Sequence, residues 1–223
     1  MEETGQMNSV PQATIDDKIF NFAYIMAMRD ATQQQAFPAA NTKLLWEKAD
    51  ETVVAYSLLK GYINDILDKG KQEQDFYEVE KDIEKAVNEF IKTNGIKKAT
   101  KKDEPESNED AVFTFGNAQK LINMTAKYMF ISAYQDSDKA KLFDQCHCPM
   151  DSVMIEKVAS RAKGSADVYA DVKLFKNSNV RWSRITSEKK EPYEAFQRVV
   201  QCLAKEQKLS PLEFDFHVWG SSE

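Results

Sequence analysis

The chain has 223 residues, 42% of them apolar and 11% aromatic, with only 7 Gly and 6 Pro, a composition that excludes disorder and favours helices in one large domain or two small ones. Its net charge of −6 opposes strong nonspecific attraction to nucleic acid, so chemistry directed at DNA would need the basic residues gathered on one face. No stretch reaches the roughly 18 uncharged apolar residues of a membrane span. The start (Met1-Glu2-Glu3-Thr4) lacks a basic segment ahead of an apolar run, and three cysteines suit a reducing cytoplasm better than a disulfide framework.

Residues 1–12 read as a disordered N-terminus, and 13–95 as an N-terminal helical lobe. Thr14 can cap a first helix, with Asp16 and Asp17 in the turn where the helix dipole favours acids. Ile19, Phe22, Ala23, Met26 and Ala27 follow helical spacing up to Pro38. Asn41 or Thr42 can cap a second helix burying Leu45, Val53, Tyr56 and Leu59, with Gly70 beyond its end. A third, over 73–93, is charged outside and places Phe76, Val79, Ile83, Val87 and Phe90 inside, ending at Asn94-Gly95. Residues 96–112 form a charged linker, with the basic cluster Lys97-Lys98-Ala99-Thr100-Lys101-Lys102 followed by acids.

The remainder, 113–223, carries predicted helices over 117–134, 149–162, 166–175 and Pro192 to Lys208, then a short element from Ser210 to Trp219 with Ser as cap and Pro in the first turn. There is no strand pattern of useful length, no internal repeat and no Gly-rich phosphate loop. The expected fold is all-α, two helical lobes around a central cleft.

Lys120 and Lys127 lie seven apart, two helical turns, on one face of an apolar helix, with Asn123 between them; Met124 and Tyr128 are assigned to other faces. Taken alone, such lysines are ordinary surface groups. A proline turn, Cys148-Pro149-Met150-Asp151, opens the next helix, so a lysine near one helix start and an aspartate near another can share a cleft. A partly desolvated lysine there loses its proton and becomes an amine nucleophile. Cys146-His147-Cys148 does not read as a metal site, because neighbouring side chains diverge and no second Cys pair follows. His147 precedes Asp151 closely enough for a pocket-wall role. Asp215 and Trp219, four apart, put a carboxylate beside an indole, the combination that reads a base edge and stacks on its face; the same pattern serves a core anchor. Arg181-Trp182-Ser183-Arg184 joins two arginines to an aromatic, suited to phosphate or base contact, or to anchoring a loop.

The order Gly116, Lys120, Lys127, Pro149-x-Asp151 and Ser210-Pro211-Leu212-x-x-Asp215-x-x-x-Trp219 resembles the helix-hairpin-helix DNA glycosylases, most nearly the archaeal 8-oxoguanine glycosylases of the AGOG type, over about residues 113–219. The resemblance implies a lysine Schiff-base nucleophile at Lys120, a catalytic acid at Asp151, and a base pocket with Lys127, Asp215 and Trp219, to which the residues themselves add Asn123, His147 and Trp182 as candidates. It further implies DNA contacts from the hairpin at Gly116, Asn117 and Gln119, and the pattern around Trp182 adds Arg181 and Arg184 as candidate DNA contacts. The partner would be duplex DNA with a flipped base, an oxidised purine, bound by a monomer with no metal or organic cofactor. The chain departs from the family in its hairpin, which has Gly116 where two glycines are usual, and in its acidic balance. A non-catalytic helical binding protein on the same fold, a mobile-element or regulatory factor, is the alternative that these departures favour.

Overall fold

The computed structural model describes residues 15–33, 37–39, 42–47, 54–69, 75–100, 107–177 and 180–220. Thr14, Asn41, Val53 and Gly70, expected at helix ends or in the core, lie outside these, as do residues 1–12. The described residues form helices α1 (Ile15–Ala31), α2 (Leu44–Glu47), α3 (Val54–Lys69), α4 (Phe76–Thr93), α5 (Phe115–Ala133), α6 (Ser137–Lys141), α7 (Ser152–Arg161), α8 (Tyr169–Phe175), α9 (Glu191–Glu206) and α10 (Pro211–Gly220), with 3-10 turns at Trp182–Arg184 and Ser187–Lys189. The only strand-like pairings among them are two isolated bridges. The all-α expectation holds at that level.

Most boundaries follow local chemistry. Asp75 accepts from the Tyr77 amide at 2.9 Å and starts α4, whose Phe76, Val79, Ile83, Val87 and Ile91 repeat at helical spacing and are buried. Thr114 and Asn117 cap α5 reciprocally. Ser210 and Glu213 do the same for α10: the Ser210 amide donates to Glu213 Oε2 (2.8 Å) and the Glu213 amide to Ser210 Oγ (3.3 Å).

α5 runs through the middle of the fold, and its residues from Phe115 to Lys127 are all buried. α1 packs along it, so the two halves of the chain meet there. Sequence spacing misjudged α1: Phe22, expected inside, is exposed, whereas Phe20, Tyr24 and Met28 are in the core. Both faces of α1 carry apolar residues, which leaves periodicity little to discriminate. The charged linker is tied at its ends. Lys97 pairs with Asp110 (2.5 Å) and Lys98 with Glu109 (3.2 Å), and the Asn88 side chain bonds both the amide and the carbonyl of Phe113.

Gly116 lies within the first turn of α5, not in a hairpin ahead of it. Its amide donates to the Ile185 carbonyl at 3.0 Å, and a Cβ there would sit 1.9 Å from the Trp182 carbonyl oxygen. The helix thus touches the backbone of the 3-10 turn. Gly116→Ala should gain about 1 kcal/mol of helix propensity and lose more, since displaced backbone costs at least the ~1–3 kcal/mol of an overpacked core. Denaturant unfolding checks the sign; net stabilisation would contradict the contact.

Glu80 of α4 is 1% exposed, and its Oε1 has no hydrogen-bond partner among the described residues. Burial and the neighbouring Glu84 raise its pKa from 4.5 to about 9, against the opposing influence of Lys190. Between those values the folded chain holds a proton that the unfolded chain has released, so stability falls as pH rises, by up to ~1.4 kcal/mol per pH unit. Glu80→Gln should therefore raise Tm near pH 8 far more than near pH 5, as thermal unfolding at both pH values would reveal.

Candidate active site

α5 supplies Lys120 from its second turn and Lys127 two turns on. Across from them, α7 begins at Asp151, whose Oδ1 caps the helix by accepting from the Met154 amide at 2.8 Å. The other oxygen, Oδ2, accepts from Lys120 Nζ at 2.5 Å. The lysine side chain is 7% exposed and the aspartate 18%, so this pair faces an opening without being solvated by it. Lys127 forms an ion pair with Asp215 of α10, which is fully buried. Lys127 Nζ lies against Oδ2, while Oδ1 has no hydrogen-bond partner among the described residues. Burial pushes the Asp215 carboxyl above its ordinary range, while Lys127 opposes the shift.

Both ion pairs line one cavity of about 480 Å³, within the range of small-molecule sites. Its walls include Trp182 and Trp219, placed so that Lys120 Nζ lies 6.0 Å from the Trp182 ring centre and Lys127 Nζ 5.6 Å from that of Trp219. Lys127 Nζ also lies 4.9 Å from the Phe216 ring. Charge and aromatic surface therefore alternate around the opening, an arrangement able to stack a planar group and meet its edge with donors and acceptors.

Of the residues expected at a pocket, Lys120, Lys127, Asp151, Asp215, Trp182 and Trp219 come together here. Two do not. Asn123 turns inward and donates to Gln119 Oε1 (3.1 Å) and to the Tyr193 hydroxyl (3.0 Å). His147 lies behind the wall, its Nδ1 2.8 Å from the Tyr193 hydroxyl and its ring against Phe76. Burial lowers its pKa to about 4. The hairpin contacts expected of Gly116, Asn117 and Gln119 are corrected likewise. All three are buried: Asn117 Nδ2 donates to the Ala31 carbonyl (2.8 Å), and the Gln119 side chain bonds the Met150 backbone. None presents a free group to a phosphate. Arg181 and Arg184 are exposed on either side of Trp182.

Met124 and Tyr128 line the cavity, contrary to their sequence assignment. Positions 120, 124, 127 and 128 share the cavity face, whereas 123 is turned to the core. Asp30 and Gln33, from the end of α1, were also missed. The Tyr128 hydroxyl donates to Asp30 Oδ2 at 2.7 Å, a contact with no local signature in the sequence. Cys146 and Cys148 are buried free thiols, both pushed up by burial, and no group of three or more potential metal ligands gathers among the described residues.

No family model, curated protein or solved structure matches this chain. Among the described residues, no helix is long and apolar enough to cross a membrane.

Proposed function

We propose that this chain is a DNA glycosylase with associated lyase activity, acting through Lys120 and Asp151 on a base turned out of the duplex. The observation that carries the reading is the 2.5 Å contact between Lys120 Nζ and Asp151 Oδ2 at the edge of a cavity walled by two tryptophans. A base entering between Trp182 and Trp219 brings its sugar toward that pair. Asp151 takes a proton from Lys120, and the freed amine attacks C1′. The bond between C1′ and the base breaks, the electron pair leaves with the base, and the base takes up the proton that Asp151 received. In the resulting amine adduct the C1′–O4′ bond breaks as a proton passes from nitrogen to O4′, giving a Schiff base whose loss of a C2′ proton expels the 3′ phosphate oxygen and nicks the strand. Lys127, held by the buried Asp215, offers a donor to the edge of the base. An oxidised purine, the substrate implied by the glycosylase resemblance, offers such an edge.

Borohydride trapping on duplexes carrying 8-oxoguanine or an abasic site tests this directly, with peptide mapping to locate the adduct at Lys120. Asp151→Asn sharpens the test, because asparagine caps a helix nearly as well as aspartate. Its fold and DNA affinity should persist while turnover is lost; unchanged turnover would remove Asp151 from the chemistry.

A second reading, a non-catalytic helical binding protein, is favoured by the net charge of −6 and by both cavity lysines already being paired with carboxylates. Absence of any adduct, together with equal affinity for damaged and undamaged strands, would select it.

A further inference from the structure

The segment leading into Asp151 has little regular structure of its own, yet its backbone is held at alternate residues. Gln197 of α9 grips Cys148: the Cys148 amide donates to Gln197 Oε1 (3.1 Å) and Gln197 Nε2 donates to the Cys148 carbonyl (2.7 Å). Gln119 of α5 grips Met150 in the same two-sided way, Nε2 donating to the carbonyl (3.0 Å) and Oε1 accepting from the amide (3.4 Å). Between them Pro149 has no amide to donate. Because Gln119 and Lys120 are adjacent, α5 holds two successive residues of the opposing segment, Met150 by its backbone and Asp151 by its carboxylate.

The orientation of the Gln119 amide is itself fixed. Asn123 Nδ2 donates to Gln119 Oε1 and, with its second hydrogen, to the Tyr193 oxygen. The Tyr193 hydroxyl in turn lies 2.8 Å from His147 Nδ1. Reversing the Gln119 amide would set Nε2 against the Asn123 and Met150 donors. The Met150 backbone and the Gly116 carbonyl, which also accepts from Gln119 Nε2 (3.0 Å), thus allow the Gln119 amide one orientation, in an interior where an unmet group is costly.

We propose that Gln119 is a positioning residue that sets the Asp151 carboxylate against Lys120, with Asn123 and Tyr193 fixing its orientation. The proposal rests on Lys120 and Asp151 being the reacting pair. Without Gln119 the Met150 backbone loses both partners, the start of α7 shifts, and Lys120 loses its close contact.

The test is competitive acetylation of the intact protein with limiting acetic anhydride, read lysine by lysine by mass spectrometry, alongside single-turnover excision. In Gln119→Leu, Lys120 labelling should rise severalfold, toward its level in Asp151→Asn, while Lys127 labelling stays unchanged. Excision should slow on the order of 10- to 100-fold with little change in substrate affinity, as a displaced catalytic group requires. Tyr193→Phe, which removes only a hydroxyl, should give a smaller change of the same sign and decides the matter if Gln119→Leu does not fold. Unchanged Lys120 labelling in a folded variant overturns the proposal, as does an equal rise at Lys120 and Lys127, which would mark general loosening. If the wild-type protein excises no base, the glycosylase reading fails, and labelling still decides whether Gln119 positions the pair.

Discussion

Lys120→Gln is expected to abolish the borohydride-trapped adduct and to lower strand cleavage on the order of a thousandfold or more, as loss of a covalent nucleophile does. Stability should change little, because Asp151 keeps its 2.8 Å bond from the Met154 amide and is partly exposed. The fold therefore survives the loss of chemistry, and circular dichroism with DNA-affinity measurements can separate the two. The adduct is expected to persist, at reduced yield, when Lys127 is changed to Gln, since Lys127 is paired with Asp215 and not Asp151. Trapping that survives in Lys120→Gln but vanishes in Lys127→Gln would move the nucleophile two turns along α5.

Lys127→Met should instead be a stability mutation. It leaves Asp215, fully buried, with no cation against it, and removing one member of a buried pair costs about 3–5 kcal/mol. The cost has a defined pH dependence. The Asp215 carboxyl is already pushed up by burial, and loss of Lys127 removes the larger of the two influences that restrain it, leaving the weaker one of Lys120. Its folded pKa then lies further above the unfolded value, so stability should fall as pH rises from the ordinary carboxylate range. Near pH 4 the stranded group can take up a proton and the penalty shrinks. Asp215→Asn in the Lys127→Met background should recover much of the loss near neutral pH. Denaturant midpoints of the single and double variants at two pH values give the coupling; additive effects would show that the pair contributes nothing.

The sequence made α4, α5, α7 and α10 legible because each carries a cap with its partner within a turn, α9 because a proline stands in its first turn, and α4 also through an apolar stripe of regular period. It left α1 poorly oriented, because apolar residues surround that helix, and it missed the turn at Ser137–Lys141 and the two 3-10 turns, which are too short to establish a period. At the cavity, Lys120, Lys127, Asp151, Asp215, Trp182 and Trp219 stood out through residue type and spacing. Asn117, Gln119, Asn123 and His147 look equally functional in a string of letters. Their expected places, in the pocket for Asn123 and His147 and against DNA for Asn117 and Gln119, are not where the structure puts them, because a polar side chain saturated by backbone carbonyls or a tyrosine hydroxyl reads in sequence the same as one awaiting a ligand. Asp30 and Gln33 are brought in by the packing of α1 on α5, a long-range contact that local spacing does not encode.

Because every residue of α5 from Phe115 to Lys127 is buried and only the narrow face of Lys120, Met124 and Lys127 looks into the cavity, the helix has little freedom to tilt or slide without disturbing the core around it. A ligand cannot be accommodated by a movement of that helix. Adaptation must fall to the rim: the exposed Arg181 and Arg184 with the turn between them, the exposed Val153 at the start of α7, and the half-exposed indole of Trp219. The division of labour is that of a fixed anvil with an adjustable jaw. Substitutions that broaden or narrow the range of accepted ligands should accumulate at the jaw, while the anvil tolerates almost none.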